Sequence, residues 1–266
     1  MRMSLPVYAL VLGASLLATA QKNGTVHSEV SRTLDGMSSE KWQDREKAFR
    51  GMPSLADINK QDSTEADRLK LGLIQLLTVE NAEAKNGKGL TEEHSDYYGD
   101  LVGIMSDLND ERAIPALIGA ITTGGMATRA LARFGDKAFS SVLNELSSPD
   151  PEVRSSVLFT IRDLLEMHIS IAPASQARIR GVLRSSLADR ESVVRSGAIS
   201  AIEYLDDREQ FVPALEKLAA SDPDTLPGKP FDGGDGGQFY PLRQKARRLL
   251  RKIANHEPPP IDQSFR

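Results

Sequence analysis

Four aspartates in one glycine-rich stretch, Asp222, Asp224, Asp232 and Asp235, are the side chains of this 266-residue sequence best placed to do chemistry together. Carboxylates on a pliant backbone can wrap a hard cation such as calcium, which takes about six to eight oxygen ligands. The order Asp232-Gly233-Gly234-Asp235-Gly236-Gly237 lacks the alternating ligand spacing of an EF-hand loop, so spacing alone does not select calcium. A metal-dependent binder or enzyme built on 222–235 is therefore one of two readings, supported by the tendency of long loops in compact folds to be functional. The helix expected next is strongly basic: Arg243, Lys245, Arg247, Arg248, Arg251 and Lys252 all fall within 242–252. Arg243, Arg247 and Arg251 recur at helical spacing and share a face that suits a phosphate, an acidic polysaccharide or a nucleic acid. The plainer accounts are a solvated face, or an acidic loop folded back over the charges. Phe239 and Tyr240 stand where the acidic loop meets this helix, and with Arg247 and Arg251 they are the candidate partner contacts.

Other chemistry finds little support. The sequence has no cysteine, which removes disulfides, thiolate zinc sites and thiol nucleophiles. Its four histidines, His27, His94, His168 and His256, are far apart and none sits in a His-Glu-x-x-His pairing. Neither a Gly-x-Ser-x-Gly elbow nor a phosphate-binding Gly-x4-Gly-Lys-Ser/Thr loop occurs. No catalytic residue and no cofactor is expected, and nothing indicates a small-molecule ligand.

Composition sets the frame for these residues. With 40% hydrophobic and 26% charged residues and a formal net charge of -4, the chain has apolar side chains enough for a continuous core and no basic excess to suggest a nucleic-acid protein. Residues 1–20 read as a secretory signal peptide: Arg2 is the positive segment, Leu5 to Leu17 is apolar, and Ala18-Thr19-Ala20 fits a cleavage site. The apolar run is shorter than the roughly 20 residues a membrane span needs, so no stable span is expected after cleavage. The expected location is periplasmic or extracellular.

The elements that position the candidate residues follow from an internal repeat. Pro149-Asp150-Pro151-Glu152-Val153-Arg154 opens one helix, Asp189-Arg190-Glu191-Ser192-Val193-Val194-Arg195 a second, and Tyr240-Pro241-Leu242-Arg243 a third. With Arg154 and Arg195 in register, Val153, Val157, Leu158, Ile161 and Leu164 fall on Val194, Ala198, Ile199, Ile202 and Leu205, an apolar stripe of helical period. In the third copy, Leu242, Ala246, Leu250 and Ile253 take the same places, with seven extra residues before Arg243. Ala113-Ile114-Pro115-Ala116-Leu117 and Phe211-Val212-Pro213-Ala214-Leu215 begin second helices, since proline is tolerated in a first helical turn. The predicted helices are 95–108 with 111–122, 126–134 with 136–147, 151–168 with 174–187, 190–205 with 208–220, and a closing helix at 241–254.

These motifs resemble HEAT repeats of the short kind named after bilin-lyase-like proteins, of an exported bacterial type, over roughly Asp110 to Ala254. The resemblance implies an all-α fold, a right-handed α-solenoid of antiparallel helix pairs in a HEAT-like superhelix. It implies that Asp150, Arg154, Arg195 and Arg243 are structural ladder residues linking neighbouring units, although a row of arginines gripping an anionic ligand is the alternative. Lyase activity is disfavoured, because export removes the chain from the cytosolic pigment apparatus.

The expected organisation is a signal peptide at 1–20, an N-terminal segment at 21–37, and an atypical helical cap with a polar loop at 38–93. HEAT-like repeats then fill 94–254, interrupted by the acidic loop 222–239, before a proline-rich tail at 255–266. In the cap, Trp42, Ala48, Phe49, Met52 and Leu55 form one apolar face and Leu69, Leu73, Leu76 and Leu77 another. One member of the pair Tyr97-Tyr98 is expected at the surface, because adjacent helical residues point about 100° apart. The function expected is an exported, non-catalytic scaffold that binds an unidentified protein partner, and not nucleic acid.

Overall fold

The computed structural model describes residues 25–85, 92–123, 125–225 and 240–260. The protein is all-helical, with no strand among the described residues. In chain order the helices are α1 (25–37), α2 (Trp42–Arg50), α3 (Leu55–Gln61), α4 (Ser63–Lys85), α5 (Glu92–Leu108), α6 (Ile114–Gly119) and α7 (Gly125–Arg133). Then come α8 (Asp136–Asn144), α9 (Pro151–Glu166), α10 (Pro173–Ser186), α11 (Ser192–Ile202), α12 (Val212–Ser221) and α13 (Pro241–Ala254). Two compact units divide the chain, Met1–Ala116 and Leu117–Arg266, the division falling inside α6.

The first unit holds α1 to α5. Helix α1 lies in the segment for which the sequence suggested no helix, yet Val26, Val30, Thr33 and Met37 are buried at steps of four, three and four. The cap expected as a helix pair contains three helices. Pro53 cannot continue α2, because it has no N–H to donate and crowds the preceding turn. Asp62 separates α3 from α4, its Oδ1 accepting from the Thr64 and Glu65 N–H groups at 2.9 and 3.2 Å, which caps the new helix. Helix α4 then buries Leu69, Leu73 and Leu77 in one stripe.

Contrary to expectation, Tyr97 and Tyr98 are both buried. Tyr97 lies 5.9 Å from Trp42 and 6.3 Å from Phe49 between ring centres, and its hydroxyl donates to the Met37 carbonyl at 3.1 Å. Burial, reinforced by the nearby Glu80 carboxylate, pushes that hydroxyl well above its ordinary pKa. Tyr98 donates to Asn81 Oδ1 at 2.6 Å, and Asn81 Nδ2 donates to the Ala116 carbonyl at 2.8 Å. Glu80, only 1% exposed, accepts from Arg45 Nη1 at 2.6 Å, while Arg45 lies 4.3 Å over the Trp42 ring. A tyrosine carries a polar tip, so both rings can be internal provided each hydroxyl finds an acceptor.

In the second unit the helices that follow the recurrent turns pack in succession: α7 on α9, α9 on α11, α11 on α13. The helices between them lie against the next member of that layer, α8 on α9, α10 on α11 and α12 on α13. The register read from the sequence is the packing register, for Val157, Leu158, Ile161 and Leu164 are buried and so are Ala198, Ile199, Ile202 and Leu205. In α13, Leu242, Ala246 and Ile253 repeat this burial, while Leu250 is only half-buried. Proline marks helix starts as expected, in α9, α10, α12 and α13, and short 3-10 turns at Glu111–Ala113 and Arg208–Phe211 lead into α6 and α12. Helices α9 and α11 approach closely at Gly197, where a Cβ would meet Leu158 Cβ at 3.1 Å.

Two substitutions test this packing. Leu158→Ala should cost about 2–5 kcal/mol by leaving a cavity at the α9–α11 contact. Gly197→Val should cost about 1–3 kcal/mol by overpacking the same contact. Melting temperatures equal to that of the unsubstituted chain would refute the register.

Candidate functional site

The recurrent arginines organise the second unit. Arg154 sits one turn inside α9, where Asp150 caps the helix by accepting from the Glu152 N–H at 2.9 Å and Pro151 supplies the first position. From there its Nη1 donates to the carbonyls of Ser148 and Pro149 at 2.9 and 3.2 Å, five and six residues back. Its Nε and Nη2 donate at 3.1 and 3.0 Å to the two carboxylate oxygens of Asp189, which lies in the next turn. Arg195 repeats the whole pattern in α11. Its Nη1 bonds the carbonyls of Asp189 and Arg190, both at 2.9 Å, and its Nε and Nη2 reach Asp222 Oδ2 and Oδ1 at 2.7 and 3.0 Å. Both arginines are buried, and Asp222 is 2% exposed. A guanidinium holds five N–H donors in a fixed fork, which is why one side chain can staple its own turn and clamp a carboxylate of the next.

These bonds revise three of the assignments made from sequence. Asp222 was a candidate cation ligand, but both its oxygens accept from Arg195 and its Oδ1 also accepts from the Asp224 N–H at 3.0 Å. It belongs to the ladder. Asp150 was placed in the ladder, but its carboxylate caps α9 and the ladder carboxylates are Asp189 and Asp222. The insertion is also longer than seven residues: six residues separate the carbonyl that Arg195 bonds at Asp189 from Arg195 itself, whereas twenty-one separate Asp222 from Arg243, whose Nε donates to the Asp222 carbonyl at 2.7 Å. The eleven-residue α11, against sixteen in α9, had masked part of that excess. Asp232, Asp235 and Phe239 lie outside the described residues, and Asp224 is half-buried beside the ladder.

Arg243 forms an incomplete third rung. It makes one main-chain bond and stacks 3.8 Å over the ring of Tyr240, which is half-buried. No carboxylate among the described residues meets its fork, unlike those of Arg154 and Arg195. Arg247 is exposed and donates to the Ala219 carbonyl at 3.0 Å, and Arg251 is exposed. The candidate partner contacts Tyr240, Arg247 and Arg251 thus lie on or beside one helix.

Lys245, in the sequence one of six basic residues of this helix, is half-buried. Its Nζ donates to the Ser196 carbonyl, Ser196 Oγ and Ser200 Oγ at 2.9, 2.8 and 2.6 Å, and burial lowers its pKa. All three of its donors are used, so it ties α13 to α11. Lys252 adds a bond to Glu203 Oε1 at 2.5 Å. The only sequence signal for this clamp was the pair of serines four residues apart on α11.

Two concavities flank the helix layer. A cleft of about 410 Å³ lies over the second rung, lined by Arg184, Leu187, Ala214, Lys217, Leu218 and Asp222 among others. Another, of about 270 Å³, is bounded by Ile179, Arg180, His168, Tyr204 and Asp207 among others. Burial and the neighbouring Glu166, which accepts from its hydroxyl at 3.2 Å, push Tyr204 up to about 12. Neither cleft pairs a nucleophile with a base, and no three His, Asp or Glu residues among the described ones are grouped to hold a metal ion.

Burial makes the ladder testable. Removing one partner of a buried, hydrogen-bonded ion pair costs about 3–5 kcal/mol, so Asp222→Ala should lower the melting temperature sharply. Arg195→Met combined with Asp222→Leu should cost less than the two single changes together, because no charge is then left unpaired. Burial by itself would raise the Asp189 carboxyl, but the Arg154 guanidinium and the Glu191 N–H hold it below the usual carboxylate range. A depressed folded pKa gives stability that is present above about pH 3.9 and is lost as pH falls through the folded value. Asp189→Asn should flatten that acid limb in pH-dependent denaturant unfolding, and an unchanged limb would show that Asp189 does not contribute to it. No family model matches this sequence, and no curated protein it was compared with is similar to it.

Proposed function

We propose that the protein is an exported scaffold of HEAT type, a right-handed α-solenoid in its second unit, that binds a protein partner without catalysing a reaction. The observation that carries this reading is the repetition of one bond set: Arg154 and Arg195 each clamp two carbonyls of their own turn and both oxygens of an aspartate in the next. Repeat proteins need the same bond at every interface, because each unit is stabilised mainly by its neighbours. A bond set recurring 41 residues apart between helices packed in succession is what such a stack requires. Stacked repeats present extended surfaces, and surfaces of this kind hold partners more often than they turn over substrates.

Several charged groups among the described residues are committed to structure. Arg154, Arg195, Asp189 and Asp222 are paired, Lys245 has spent its three donors on α11, and Glu80 is paired with Arg45. One surface open to recognition in the second unit is the outer side of α13, with Arg247, Arg248 and Arg251 exposed.

Expression of the full chain in a secretion-competent bacterial host, followed by mass measurement of the recovered protein, should give a chain beginning at Gln21 in the periplasm or medium. Recovery of the uncut chain from the cytosol would overturn export. Affinity capture with that mature chain from its native envelope should retain one protein specifically. The same partner should be lost from a bait with Arg248→Glu and Arg251→Glu and unaltered melting; retention by that bait would move the contact elsewhere.

A further inference from the structure

Helix α13 is the last helix among the described residues, and its outer side carries exposed cations where the matching positions of α11 are polar or acidic. In α11, the positions facing the next helix are Ser196, Ser200 and Glu203, which receive Lys245 and Lys252. In α9 the same positions are Ser155, which donates to the Val193 carbonyl of α11 at 3.3 Å, Phe159, and Arg162, which is paired with Asp163. Carried 48 residues on, the same three positions of α13 are Gln244, Arg248 and Arg251, and all are exposed. Arg247, on the adjoining stripe, replaces the buried Ile199. A terminal repeat needs a polar outer face to stay soluble, but solubility does not fix the sign of the charge. Here a chain of net charge -4 gathers Arg243, Arg247, Arg248 and Arg251 on one helix, and none of them meets a carboxylate among the described residues.

Arg243 makes the face specific. Its register equivalents each clamp an aspartate from the turn after the next intervening helix, Asp189 for Arg154 and Asp222 for Arg195. Arg243 bonds one carbonyl, that of Asp222, and does so through Nε, where the earlier arginines use Nη1 for two carbonyls; its stacking on Tyr240 holds the guanidinium plane in place. Its Nη donors have no acceptor among the described residues, although the two earlier forks are filled.

We infer that α13 is a docking face for an acidic helical segment of a partner protein, one that presents an aspartate from a turn to the fork of Arg243 while its other carboxylates lie along Arg247, Arg248 and Arg251. The partner's carboxylate meets the Nη1 and Nη2 edge, because the Nε used for Asp189 and Asp222 in the first two rungs is held here by the Asp222 carbonyl. Arginine suits this role better than lysine because its fork matches both oxygens of a carboxylate. This inference rests on the scaffold reading and names the partner chemistry of its open end.

The test uses the full chain and, as probe, a labelled peptide copying residues 203–225, an acidic segment ending in the Asp222-Pro223-Asp224 turn that fills Arg195 within the chain. Fluorescence anisotropy at low ionic strength should show binding. Arg243→Gln should weaken it about 10-fold or more, the loss expected for one charge-assisted pair, and the same loss should follow Asp222→Asn in the peptide. Combining the two changes should cost no more than either alone, which is the signature of a direct pair. Arg248→Glu with Arg251→Glu, on a fully exposed stripe, should abolish binding with the melting temperature unchanged. Absence of binding, or losses that simply add, would overturn the inference, the second by showing diffuse attraction. Retention by phosphatidylglycerol vesicles at 0.15 M salt without peptide binding would assign the face to a membrane surface and overturn it as well. Failure of the scaffold reading would register separately, as ladder substitutions at Arg195 and Asp222 that leave stability unchanged.

Discussion

The second unit depends on a guanidinium buried between two turns. An unpaired charge in that position would be costly, because several kcal/mol of hydration are given up when an ion leaves water. Arg154 and Arg195 avoid this by donating to four oxygens each, two carbonyls of their own turn and two carboxylate oxygens of the next. The consequence is directional. Each turn fixes the helix it opens through the carbonyl bonds, and it is fixed in place by the helix before it through the carboxylate. Apolar burial of Leu158, Ile161, Ala198 and Ile202 drives the helices together, but burial is non-directional and would tolerate a helix slipped along its neighbour. The arginine pairs remove that freedom, since a shift of one residue would separate both oxygens from the fork.

The same logic explains where the chain tolerates an insertion. Between Asp222 and Arg243 the sequence runs through many residues that the earlier turns lack, yet Arg243 still bonds the Asp222 carbonyl. The anchor and the arginine stay adjacent in space while the intervening sequence grows, and the cost of a longer closed loop rises only slowly with its length. In the first unit a different device does similar work. Glu80, Asn81, Tyr97 and Tyr98 are buried polar residues, and each is paired, through Arg45, the Ala116 carbonyl, the Met37 carbonyl and Asn81 itself. Fully satisfied networks of this kind fix one arrangement of helices, because a displaced helix would strand a buried donor or acceptor.

For function, the important contrast is between arginines that are filled and one that is not. Arg154 and Arg195 serve the fold, and their burial removes them from any ligand. Arg243 lies in the first turn of its helix and bonds one carbonyl, that of Asp222, through Nε, with no carboxylate among the described residues on its fork.

The sequence alone determined the helical class, the register of the stripes and the helix starts at Pro151, Pro213 and Pro241. All of these follow from local rules, the 3.6-residue period and the need for proline to avoid helix interiors, together with the recurrence of one pattern. Asp222-Pro223-Asp224 repeats the turn Asp150-Pro151-Glu152, and in both the first aspartate accepts from the N–H two residues on, so the turn was legible in the sequence while the clamp by Arg195 was not. What only the tertiary structure decided was which carboxylate each arginine meets, that Tyr97 and Tyr98 are both internal, and that Lys245 reaches two serines of α11. These are pairings across 17 to 60 residues of chain. No local period encodes them, because they depend on which helix faces come into contact and on which polar groups are left without water once they do.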